Sequence, residues 1–359
     1  MTNGEYYPLL LRAVAQEKIW GGRNLERWLD KSFAPGQWIG ETWEAWDGCV
    51  IENGAHRGTT LGHLSARDAA AILGANARGK QHFPLLFKFI DAQDDLSVQV
   101  HPDDAAARAL EDYPLGKTEA WYILRAEPGA ALIHGFKENV DAARVTAYLD
   151  RNRLPDLLAT VPVQSGDVVF VPAGTVHAIG KGIVLAEIQE NSDVTYRLYD
   201  WGRGDKGRAL HIEQALKVAN FARATEHKIP RLTVHHAEFD QHYLVACRYF
   251  ALELLDVRAP TPDLALGDKF NIVSIIGGAA EIASGRSSVA ARQGQTLLLP
   301  ARLGTFGIAP APSCKILRAY TPDLRSDVIE PLLRAGYRAT DIARLGGAPP
   351  QHNDLLPLL

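Results

Sequence analysis

From Phe83 onward the chain is broken into short runs of β-branched, aromatic and aliphatic residues, each closed by glycine, proline or a polar turn. The runs fall at 85–90, 96–101, 119–124, 130–134, 168–171, 184–189, 243–255, 270–277 and 296–299. Many short strands punctuated in this way predict a β-sandwich or barrel. Helical spacing is confined to 66–73, 103–109, 140–150, 212–220 and 326–335. In the fourth of these, Ile212, Ala215, Leu216 and Ala219 form one apolar stripe, suited to packing between domains.

An internal echo sharpens the expectation. Gly166-Asp-Val-Val-Phe-Val-Pro172 is matched by Gly294-Gln-Thr-Leu-Leu-Leu-Pro300, as two copies of one β-unit would be. The first copy runs on through Ala173-Gly-Thr-Val to His177, and the second through Ala301-Arg-Leu to Gly304, without a histidine. One half therefore reads as built for metal chemistry and the other for packing. At 359 residues the chain suffices for about two domains. It turns polar over 221–228, which divides it into residues 1–225, the metal-binding part with N-terminal and helical elements, residues 226–322, the second copy, and a C-terminal extension, 323–359. The last dozen residues read as a tail without catalytic groups.

Strand alternation locates the metal chemistry. In Leu96-Ser-Val-Gln-Val-His-Pro102, Val98 and Val100 share one face while Ser97, Gln99 and His101 share the other. The strand that follows brings Glu119, and the Pro/Gly turn after 168–171 brings His177. Two imidazoles, a carboxylate and an amide oxygen suit one divalent first-row ion, zinc foremost, in a site able to admit a water or substrate oxygen. His134, His211, His235 and His236 lack partner ligands at useful spacing and are set aside. Trp20, Trp43 and Trp46 read as packing aromatics.

A net charge of −4 without a basic block excludes the footprint of a nucleic-acid binder. There is no apolar stretch of membrane-spanning length and no N-terminal segment of the secretory type. Cys49, Cys247 and Cys314 are an odd, widely spaced set that suits reduced thiols. These features predict a cytoplasmic protein without membrane or nucleic-acid partners, acting on a small molecule as a monomer or homodimer.

The front of the His177 motif resembles the second cupin motif, and its echo at Gly294 resembles a degenerate second cupin. From Lys18-Ile-Trp-Gly-Gly22 to about Tyr320 the chain resembles type I mannose-6-phosphate isomerase. The likeness is carried by Gly40-Glu-Thr-Trp-Glu44, residues 85–88, Leu96-Ser-Val-Gln-Val-His-Pro-Asp103, Gly116-Lys-Thr-Glu-Ala-Trp121, the His177 turn and Gln189-Glu-Asn-Ser-Asp-Val-Thr-Tyr-Arg197. The resemblance implies a mainly β protein of tandem cupin (jelly-roll, double-stranded β-helix) domains with short helical additions. It implies Gln99, His101, Glu119 and His177 as ligands, and Lys117, Glu187, Asp193 and Arg197 as active-site groups. The large helical insertion of longer family members is absent, and residues after about 320 are additional.

Such an enzyme interconverts mannose 6-phosphate and fructose 6-phosphate through a cis-enediol, whose developing charge a divalent metal would stabilise. Arg197 would meet the enediolate or the phosphate. Lys117 or Glu187 would shuttle the proton. Asp193 and His101 are candidates for ring opening, and Ser97 offers a hydroxyl to phosphate or sugar. Each has a plainer alternative. Lys117 can be a solvated turn residue, Arg197 the i, i+4 ion-pair partner of Asp193, Asp193 a turn former, and Glu187 a solvent-facing edge residue. Residues 203–208 read as a solvated loop, with Arg203 or Lys206 as a further phosphate contact. A cupin metal oxygenase and a non-catalytic sugar-phosphate sensor are the competing functions on the same scaffold.

Overall fold

The computed structural model describes residues 6–75, 82–203, 208–348 and 352–359. Three antiparallel sheets carry the chain. A six-stranded sheet runs in the order Val168–Val171, Glu119–Ala126, Ile183–Glu190, Leu85–Ala92, Ile39–Ala45 and Val14–Gly22. A five-stranded sheet runs Tyr196–Tyr199, Val98–Val100, His177–Ile179, Ala131–Phe136 and Leu158–Pro162. Together these two sheets form a first barrel. The third, ten-stranded sheet builds a second barrel from Leu232–His235, Phe239–Ala246, Ala251–Val257, Thr305–Tyr320, Asn271–Ser284 and Thr296–Leu299, and it continues into the N-terminal strands Leu9–Arg12 and Val50–Ile51.

The six-stranded sheet is the shared wall, and its alternation explains why its strands read as nearly continuous apolar runs. Phe87, Phe89, Ala120, Tyr122, Ala186 and Ile188 face the ten-stranded sheet, joining Leu244, Ile272, Leu298 and Leu317 in the largest core. Ile90, Trp121, Ile123, Leu185 and Val169 face into the first barrel. Phe87 and Phe89 are fully buried, each contributing about 2–3 kcal/mol by area removed from water. The second barrel packs an apolar core that includes Val273, Ile275, Leu297, Leu299, Phe306 and Ile316, with a buried Glu253–Arg318 pair in the same strands.

Several expectations need correction. The run 243–255 is two strands, Phe239–Ala246 and Ala251–Val257, joined by a turn in which Cys247 N–H donates to Phe250 O. That turn contains neither glycine nor proline, which hid it. Strands also precede Phe83; in Val14–Gly22 the first six residues alternate between partial and full exposure, a pattern too polar to stand out. Residues 66–73 split into the ends of two short helices, Leu61–Arg67 and Ala69–Ile72, with Asp68 accepting from Ala71 N–H. The C-terminal residues are docked rather than tail-like. Asn353 bonds the carbonyls of Ala343 and Gly347, Leu355 is fully buried, and Asp354 accepts from the backbone and side chain of Arg248. No helix among the described residues is long and apolar enough to cross a membrane.

Candidate metal centre and active-site cavity

Cross-strand register brings the expected ligands together. His177 opens its strand directly opposite Gln99, and Glu119 opens its strand opposite Val171 and Gln189. The turn that delivers His177 needs Gly174, whose φ of +85° lies in the left-handed region that a side chain disfavours. Its N–H donates to the His101 carbonyl at 2.8 Å, tying two ligand-bearing segments to each other.

The ligand atoms of His101, Glu119 and His177 lie within 4.8 Å of one another. Nε2 of His177 is 3.2 Å from Glu119 Oε1, and Nε2 of His101 is 3.5 Å from Oε2. Nδ1 of His101 meets the carbonyl of Val194 at 2.9 Å, and Nδ1 of His177 that of Thr175 at 2.8 Å. Carbonyls accept only, so both Nδ1 atoms carry the proton and both Nε2 lone pairs converge on Glu119, the tautomer a metal requires. Burial holds both imidazoles towards the neutral form. His177 is lowered to about 4, and His101, with Lys117 and His177 adding to the effect of burial, falls well below the usual histidine range.

The donor set fits a cation. Both carboxylate oxygens of buried Glu119 lack a well-formed hydrogen bond. The ammonium of Lys117 sits among the donors, 2.8 Å from Glu119 Oε2 and 2.9 Å from His101 Nε2. Gln99 lies 3.3 Å from His177 Nε2 through its amide nitrogen, and a half-turn of that amide presents the oxygen.

Gln99 and Lys117 open onto a cavity of about 350 Å³ whose wall also includes Ser97, Glu187, Asp193 and Arg197. Arg197 is not the ion-pair partner of Asp193. It donates to Ser97 Oγ at 3.1 Å and to Ala209 O at 2.8 Å, and among the described residues no carboxylate lies within ion-pair distance of it. Burial, then the neighbouring Arg208, pulls its pKa down. Glu187 is not an edge residue; it stands on a central strand at 2% exposure. Trp121 Nε1 donates to its Oε2 at 3.0 Å, and Lys88 Nζ is 2.9 Å from its Oε1. Burial first, then the charge of Glu119, raises the Glu187 pKa against the pull of Lys88 and Lys117. Asp193 stands exposed at the rim, with no hydrogen bond or ion pair to its carboxylate among the described residues.

Lys18, Glu41, Lys88 and Arg208 also line the cavity, and sequence reasoning missed them. Lys88 had a signal: a lone charge inside Leu85-Leu-Phe-Lys-Phe-Ile90 marks either a wrong strand or a buried functional group. Burial would lower its pKa, but Glu187 and Glu41 outweigh that and keep it cationic. Arg208 corrects the solvated-loop reading: it pairs with Asp200 and faces the cavity. Arg203 is tied to Asp94 and Asp200, and Lys206 lies outside the described residues. His134 is spoken for by Phe170 O and His227. Trp43 and Trp46 pack edge to face at 4.8 Å.

Fold and site together define a double β-barrel protein with, among the described residues, a histidine–carboxylate cation site in the first barrel alone. Residues 9–161 match the family model for the catalytic domain of type I phosphomannose isomerase, and residues 240–321 match that for the mannose-6-phosphate isomerase cupin domain. Mannose-6-phosphate isomerase ManA of Bacillus subtilis is 36% identical over 318 residues, 86% of this chain and 97% of the relative. A mannose-6-phosphate isomerase of Streptococcus mutans is 36% identical over 302 residues, 82% of this chain and 92% of the relative. The crystal structure of the mannose 6-phosphate isomerase from Bacillus subtilis superimposes with a TM-score of 0.80 at 30% identity, covering 88% of this chain and 99% of that one. The chain belongs to the type I mannose-6-phosphate isomerase family, and its fold is the tandem cupin.

Proposed function

We propose that the protein interconverts D-mannose 6-phosphate and D-fructose 6-phosphate. The observation that carries this reading is one cavity lined by Gln99 and Lys117 of the cation-holding cluster together with the hydroxyl and guanidinium groups of Ser97, Arg197 and Arg208. Gln99, His101, Glu119 and His177 would hold a single divalent ion, zinc by their mixed nitrogen and oxygen character. When bound, that ion supplies Lewis-acid stabilisation of negative charge on the sugar oxygens.

The chain's own groups divide the remaining work. Arg197 and Arg208 bind the phosphate as paired donors, with Ser97 holding the Arg197 fork in place. Glu187, its pKa raised towards the working range and one oxygen pinned by Trp121, takes the C2 proton and returns it to C1. Lys117 moves the other proton, from the O2 hydroxyl to O1, so that the isomerisation balances. Lys88 keeps the buried carboxylates compensated throughout. Asp193, free at the rim, opens the sugar ring. His101 is excluded from that task because both its nitrogens are committed.

The division into a metal-binding part (1–225), a second cupin (226–322) and an extension (323–359) belongs to this reading, supported by the confinement of all cavity groups to the first part. A cytoplasmic setting is supported by three buried thiols without a disulfide. A coupled assay of mannose 6-phosphate turnover, run before and after chelation and after Zn²⁺ is restored, tests the function. The expected outcome is turnover lost with the metal and regained with zinc. Turnover in protein shown to be metal-free would overturn the metal's role, and none in metal-loaded protein would overturn the reaction.

A further inference from the structure

Lys117 does not lie in a strand. It precedes Glu119–Ala126, in a segment without regular structure, yet it is 4% exposed and its ammonium enters the ligand cluster. Regular pairing cannot hold such a residue, so something else must. Its own N–H donates to Pro102 O at 2.9 Å. On either side of it, an acidic side chain accepts from the adjacent backbone N–H. Gly116 donates to Asp104 Oδ1 at 2.7 Å, and Thr118 donates to Glu190 Oε1 at 2.9 Å. Gly116 is required for the first of these bonds, because a Cβ there would lie 2.5 Å from the backbone carbon of Asp103.

The second barrel reaches this clamp. Tyr249, in the turn between Phe239–Ala246 and Ala251–Val257, donates its hydroxyl to Asp104 Oδ2 at 3.3 Å. The preceding residue, Arg248, is held through its N–H and Nε by Asp354 at 2.9 and 2.7 Å. The C-terminal extension therefore fixes the turn, the turn fixes Asp104, and Asp104 fixes the backbone next to Lys117. Glu119 is held differently, by strand pairing opposite Val171 and Gln189. Loosening the clamp should move Lys117 without unseating the ligand.

We infer that Asp104 and Glu190 are positioning residues for Lys117, and that Tyr249 carries the second barrel's share of that task. The inference rests on the proton-moving role proposed for Lys117. Steady-state kinetics on the zinc-loaded full chain tests it. Asp104→Ala lowers kcat about ten-fold or more, changes KM less than about two-fold and keeps one metal per chain. Asp104→Asn restores the greater part of kcat, since an amide oxygen still accepts from Gly116. Tyr249→Phe, which removes one hydroxyl and keeps the packing, lowers kcat about three-fold and carries the test if Asp104→Ala does not fold. In a Lys117→Ala background, Asp104→Ala costs nothing further, a non-additivity that a merely structural residue would not show.

The inference is overturned if Asp104→Ala and Tyr249→Phe both fold and turn over within two-fold of the parent, or if the losses at 104 and 117 add. If Lys117→Ala itself leaves kcat intact, the role given to Lys117 is what fails, and the positioning proposal falls with it.

Discussion

Val168–Val171 and Thr296–Leu299 occupy equivalent places in the two barrels. Each is fully buried, and each follows a glycine at positive φ, Gly166 at +92° and Gly294 at +82°. Beyond them the barrels diverge. The first turns through Gly174 to His177 and encloses Lys88, Lys117, Glu119 and Glu187, all at 5% exposure or less. The second turns through Ala301–Leu303 and packs an apolar core cluster beside the buried Glu253–Arg318 pair. Filling a barrel with methyl groups is stable and inert, whereas leaving it hollow and charged costs desolvation, which only matched charges offset. Divergence of the two halves has separated these roles within one chain.

Four substitutions can break or sharpen this contrast, and the largest effect belongs to the donor set. His101→Ala should lower turnover by about three orders of magnitude and metal content to near zero, checked by elemental analysis beside the coupled assay. Retained metal would remove His101 from the ligands. Next comes Lys88→Met, which leaves Glu187 buried without its ion-pair partner and Glu41 with Lys18 alone, and should cost about 3–5 kcal/mol in denaturant unfolding. An unchanged midpoint would mean that the first barrel does not house compensated charge. In the second barrel, Ile316→Ala should cost about 3 kcal/mol by cavity formation while kcat of the folded protein stays put. A fall in kcat would show that the packing barrel is not catalytically silent.

The smallest effect concerns Glu190, raised to about 8 by burial and then by Asp104, with Tyr249 and Cys247 also facing it. Its folded pKa exceeds the ordinary 4.5, so the native chain retains a proton that the unfolded chain releases. Stability therefore falls as pH rises from about 4.5 to about 8. Glu190→Gln should flatten that slope, with a Tm gain of about 2 °C above pH 8 and none near pH 4.5. A gain independent of pH would contradict the assignment.

The ligands were legible because alternation alone places Gln99 and His101 on one face, and because a glycine turn before a histidine is visible in any strand-rich sequence. Glu187 and Lys88 were harder. A charged residue in a strand reads as exposed unless the cavity beneath it is known, and the cavity is made by sheets far apart in sequence. The anchoring of Asp354 was invisible for a related reason: its partner Arg248 lies about a hundred residues away, in a turn the sequence did not reveal.

At the centre of the wall between the barrels, one strand has no solvent side. Leu85–Ala92 is buried along its whole length, phenylalanines to one side and Lys88 to the other. Slipping it by one residue against Ile183–Glu190 would drive the Lys88 ammonium into the apolar layer and turn Phe87 or Phe89 towards the charged cavity. Both barrels reject that mispairing at once, for opposite reasons. Packing of the second half therefore helps to fix the register of the first.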